Sequence, residues 1–181
     1  GRVDLHFLQF SGAIWYPMVH DEPPERMRQL VDAKVDSQLT RTMRYVEMVD
    51  ARAVVPSAGP PCFLDDDLFG LNVIRGDELS IFPDQRVFLD QLARASRHGV
   101  MNIPGTSIEA TAETITVSHP IPEDEVLQIF TDKERYLRSY QADWADWLVA
   151  HKASWITPRP DLFERLKEWW EPLMALAPKL R

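Results

Sequence analysis

The sequence predicts an α/β fold followed by a C-terminal helical extension, on three observations. Two short apolar runs, residues 3–10 and 53–56, flank one long amphipathic stretch, residues 25–49, which is the pattern of a strand–helix–strand unit. Both runs end in small residues, Ser11-Gly12 and Ser57-Ala58-Gly59. Beyond residues 120–125 (PIPEDE) the pattern is helical only, and five of the six tryptophans lie there.

The first run, VDLHFLQF, is dense in apolar and aromatic residues, as a buried strand is. It leads into a loop with Trp15, Tyr16 and Pro17, and then into HDEPPE, where Pro23 and Pro24 suit only the start of a helix. Over residues 25–49, Leu30, Val31, Val35, Leu39, Met43, Val46 and Val49 recur at helical spacing. The run AVVP follows with almost no loop, so the two strands are expected to lie parallel. Residues 64–83 show no period. Pro83 and Asp84 open a helix expected to reach about Arg97 with Gly99 at its end, and residues 100–104 read as a short strand. Residues 107–110 and 114–119 alternate as a hairpin does, turning at TAET. In the extension, Thr131 and Glu134 fit a capping box for a helix carrying Leu137, Tyr140, Trp144, Trp147, Leu148, His151 and Trp155 on one stripe. A last helix after TPRP carries Leu162, Leu166, Trp169, Trp170 and Leu173. Such stripes are expected to pack as core. These readings divide the chain into an α/β portion, residues 1–122, and a Trp-rich extension, residues 123–181.

The composition is that of a folded globular chain, with 181 residues, 45% hydrophobic and 27% charged. A net charge of −8 disfavours a nucleic-acid partner, since nothing offsets phosphate repulsion. One cysteine, Cys62, rules out an internal disulfide framework and suits a reducing compartment, so a cytoplasmic location is expected. No apolar run approaches the ~20 residues of a membrane span, and no membrane partner is expected. The chain begins at Gly1 and reads at once as a buried strand, so it is expected to be a fragment of a longer protein.

Ligands of α/β sheets collect beyond the carboxyl ends of parallel strands. The two small-residue strand ends therefore mark the expected site, against the alternative that SAGPP is a structural turn. Generic catalytic signatures are missing: there is no G-x-S-x-G, P-loop, G-x-G-x-x-G, H-E-x-x-H or C-x-x-C. Cys62 has no histidine near it in sequence and reads as a small buried hydrophobe, while Asp65, Asp66 and Asp67 read as a solvated first turn rather than a metal cluster.

The order QFSGAIWYP, helix, ARAVVPSAGPPCF resembles the second half of a metallo-β-lactamase-fold protein. It is most similar to the actinobacterial Rieske-associated group, which is related to CMP-N-acetylneuraminate hydroxylase. The likeness is strongest over residues 5–68, where Pro56-Ser57-Ala58-Gly59 matches a Pro-x-Ala-Gly turn. It implies the second half of an αββα sandwich within a metal-dependent hydrolase or a Rieske-linked, hydroxylase-like oxidoreductase, acting on a small-molecule substrate. Ser11, Gly12, Ser57, Ala58 and Gly59 would then shape the pocket, with Trp15 and Tyr16 as its wall. The chain lacks the His-x-His-x-Asp-His motif, and Ala58 or its neighbour stands where hydrolytic members place a late metal-binding histidine. No metal or cofactor is therefore expected within the segment; zinc, iron or a 2Fe-2S cluster would belong to the rest of the parent, whose upstream half is the expected partner. The alternatives are a catalytically silent binding module and a helical pair that serves as a partner-binding surface.

Overall fold

A computed structural model of the chain describes residues 1–12, 14–57, 59, 62–73, 79–155 and 161–176. Strand β1 (Leu5–Gln9) and strand β2 (Ala53–Ser57) pair in parallel, with Leu5 opposite Ala53 and Gln9 opposite Ser57. Helix α1 (Pro24–Val49) joins them, as the strand–helix–strand pattern predicts. Asp50 ends α1 in the left-handed region (φ 45°), a conformation that Asp tolerates better than most side chains. The Arg97 guanidinium bonds the Asp50 carboxylate and, with Arg2, holds its carboxyl below the usual carboxylate range.

The sheet is covered on both faces by separate apolar clusters. On one side Leu8, Phe10 and Val54 pack with Leu39 and Val46 of α1 and with Phe88 and Leu92 of helix α2 (Gln85–Arg94). On the other, Ala53, Val55 and Val100 pack with Ile108, Ile115 and Val117 of an antiparallel hairpin. Its strands are β3 (Ser107–Ala110) and β4 (Ile115–Ser118), turning at residues 111–114 as expected. A third cluster, Met27, Val31, Phe63, Ile81 and Phe82, lies under the loops.

Three expectations are corrected. Residues 100–104 form no strand: the chain makes a single parallel bridge, Gly99 to Val54. Beyond it the Gln85 side chain bonds both backbone groups of Asn102 (2.9 and 3.3 Å), so they are diverted from any ladder. Helix α2 stops at Arg94 rather than Arg97, because Ser96 turns left-handed (φ 54°) and Arg97 N–H bonds back to Leu92 O at 2.8 Å. Thr131 is no N-cap. It ends helix α3 (Glu123–Thr131), its hydroxyl donating to Leu127 O, and helix α4 (Lys133–Asp143) begins beyond Asp132.

The chain divides into two compact units, Gly1–Asp143 and Trp144–Arg181, so α3 and α4 belong with the α/β portion rather than with an extension that starts at residue 123. The second unit holds α5 (Ala145–Ala153) and α6 (Leu162–Leu176). Its tryptophans are exposed and not core: Trp147 stacks on His151 with ring centroids 4.6 Å apart, and Trp169 leans on Trp170. Among the described residues, no helix is long and apolar enough to cross a membrane.

Candidate functional site

A cleft of about 670 Å³ opens at the carboxyl end of β2, a size that suits a drug-sized organic molecule. Pro56, Ser57 and Gly59 form one wall. Asp84 and Gln85, at the start of α2, and Asn102, Ile103 and Pro104 form the floor, with Pro120 and Ile121 beside them. Helices α3 and α4 close the other side with Ile129, Phe130, Tyr136, Leu137 and Tyr140. Most of the lining is apolar or aromatic.

Among the described residues, the charged groups of the cleft are paired with each other. Lys133 Nζ donates to Asp84 Oδ2 (2.6 Å) and to Asn72 O (2.8 Å), and both charged side chains are nearly buried. The other carboxylate oxygen of Asp84 caps α2, accepting from Arg86 N–H at 3.0 Å. This carboxylate therefore joins the start of α2 to the start of α4. Asn72 is also fixed: its amide bonds Phe63 N–H, Phe63 O and Phe69 O. Further along α4, Gln141 donates to Leu64 O, and Arg138 lies over the Phe69 ring at 3.6 Å from its centroid. The cleft thus has rigid polar supports and apolar walls. Cys62, expected as a buried hydrophobe, is instead exposed at the cleft; partial burial still pushes its thiol above the ordinary range, and the Lys133 charge offsets this only in part.

The expected site residues fall in two places. Ser57 and Gly59 line the cleft, while Ala58, Pro60 and Pro61 lie outside the described residues. Ser11 and Gly12 lie elsewhere, against α1. A Cβ on Gly12 would stand 2.2 Å from Gln38 Nε2, so the backbone there rests on the Gln38 amide. Ser11 Oγ and both amide atoms of Gln38 are buried without a hydrogen-bond partner among the described residues. Trp15 packs edge-on against Phe63 and Phe82, with centroids 5.7 and 5.3 Å away, and Tyr16 meets His20. Phe10, at the end of the same β1 segment, does reach the cleft. Sequence reasoning missed the α3–α4 wall. The signal was available in Ile129, Phe130, Leu137 and Tyr140, which share helical spacing, but a helix boundary at Asp132 splits them.

The aspartates of residues 65–67 form a local turn, with Asp67 N–H bonding Asp65 Oδ1 at 3.1 Å. Among the described residues, no three His, Cys, Asp or Glu side chains gather where they could hold a metal ion.

No protein-family model matches the chain, and no solved structure does. Two Mycobacterium tuberculosis proteins, provisionally named Rieske 2Fe-2S iron-sulfur proteins, are 43% identical to it over 178 residues, 96% of this chain and 34% of theirs. A Mycolicibacterium smegmatis protein of the same provisional name is 42% identical over 179 residues. The chain therefore spans about a third of the length of the curated relatives it matches. A Rieske cluster is held by two Cys and two His, and a chain with one Cys does not fit it. The chain is similar, over nearly all its length, to one part of proteins named for an iron–sulfur cluster that its own residues cannot hold.

Proposed function

We propose that this chain is the substrate-pocket portion of a Rieske-linked oxidoreductase, built as the second half of a metallo-β-lactamase-like αββα sandwich. The 2Fe-2S cluster lies in the rest of the polypeptide, and a small organic molecule binds in the cleft at the end of β2. One observation carries this reading: a cleft of about 670 Å³ stands where the parallel β1–β2 pair points its carboxyl ends. The resemblance over residues 5–68 and the relatives' provisional names supply the Rieske link. Among the described residues of the lining the charges of Asp84 and Lys133 offset each other, so the cleft suits an uncharged, mostly apolar molecule with one hydrogen-bonding edge. Ser57, Asn102 and Tyr136 are the groups that would meet that edge.

A second reading, a silent binding module, is favoured by that same ion pair, since both charges are committed to structure. One preparation separates the two. The parent polypeptide, purified without oxygen, is expected to contain two iron atoms and two labile sulfides per chain. A parent without iron would overturn the oxidoreductase reading and leave the binding module.

A further inference from the structure

The open edge of β1 calls for a neighbour. In a parallel ladder, successive residues of a strand send their backbone groups to opposite sides. Val54 turns its N–H to His98 O and its C=O to Val100 N–H, so Ala53 and Val55 serve β1; Ala53 N–H does bond Asp4 O at 3.0 Å. With Leu5 opposite Ala53 and Phe7 opposite Val55, it is Leu5, Phe7 and Gln9 whose N–H and C=O point away from β2. Among the described residues no strand lies on that side.

The side chains agree with the backbone. The hairpin covers Leu5, Ala53 and Val55 but leaves the Phe7 ring 57% exposed in the middle of the strand. Parallel sheets are normally buried on both faces, and a two-stranded sheet is marginal by itself. Proteins that keep an edge strand open protect it with lysine, proline or a bulge. The strand LHFLQ has none of these.

We propose that β1 is an inner strand of a wider sheet, its free edge and the Phe7 face covered by a β-strand from polypeptide outside these 181 residues. The relatives supply the length: the matched region is 34% of their chains, which leaves ample sequence for further strands. The occupant is an extended segment of the same polypeptide, with apolar side chains on the Phe7 face. This inference stands on the edge geometry and does not rest on the cleft.

Amide hydrogen exchange in the parent polypeptide is the test, with the Phe7 amide compared with the ladder-bonded Val55 amide. Phe7 is expected to exchange within about tenfold of Val55 at every protein concentration, as amides of one cooperative unit do. Exchange of Phe7 at the rate of a free amide would overturn the proposal. So would protection that disappears on dilution, which would identify a second copy as the occupant. Phe7→Lys in the parent provides a separate readout: its melting temperature is expected to fall, and an unchanged value would show that the ring faces solvent there too.

Discussion

Gly59 and Gly99 are both small residues beside β2, yet they serve different ends. A Cβ at Gly59 would meet the Phe10 ring at 3.5 Å, an ordinary contact, so a small side chain finds room there. Gly59→Ala is therefore expected to keep its melting temperature, while Gly59→Val fills cleft volume and weakens ligand binding in a folded protein. At Gly99 a Cβ would stand 2.7 Å from Leu89 and 3.0 Å from Leu92, where the bridge to Val54 passes over α2. Gly99→Ala is expected to cost about 1–3 kcal/mol by overpacking, measured by urea unfolding. Nothing in the sequence around residue 99 separates these cases, because the clash comes from side chains on another element. The charge pair gives a third residue-scale expectation. Removing Lys133 leaves Asp84 nearly buried and uncompensated, so Lys133→Met is expected to lose about 2–4 kcal/mol, and Asp84→Asn on top of it to recover part. A full additive loss in the double variant would show that the two do not act as a pair.

At the scale of elements, α3 and α4 decide where the first unit ends. Val126 and Leu137 are buried and Lys133 reaches Asp84, so truncation after residue 122 removes a wall of the cleft and its main polar support. Truncation after Asp143 is expected to leave the cooperative unfolding transition of the first unit in place, and truncation after residue 122 to abolish it, both read by circular dichroism. The parallel pair and α1 were legible because their apolar periods are local and long. The helix boundary at Asp143 was not, since the stripe from Leu137 to Trp155 runs across it without a break. Ser57 and Gly59 could be placed by the strand-end rule. Ser11 and Gly12 satisfy the same rule but lie against Gln38, which only the packing of α1 reveals. The end of α1 also gives a pH expectation. The Asp50 carboxyl is depressed, so its contribution is present above the ordinary carboxylate range and is lost as pH falls through the lowered value. Asp50→Asn keeps a residue that tolerates the left-handed cap, and the melting difference between it and the parent sequence is expected to shrink as the solution is acidified.

For the whole molecule, the central claim is that the cleft at the end of β2 receives a small organic molecule. Cys62 faces that cleft and supplies a probe already in place. Its raised thiol pKa keeps the reactive thiolate scarce at neutral pH, so iodoacetamide is expected to modify it more slowly than a free thiol, and faster as pH rises. The most direct measurement is that alkylation rate in the parent polypeptide, with and without each of a panel of uncharged aromatic molecules that raise its melting temperature. The account predicts that such molecules slow alkylation of Cys62 and that Ser57→Leu removes the effect while the protein stays folded. Molecules that stabilise the protein and leave the Cys62 rate unchanged would contradict it.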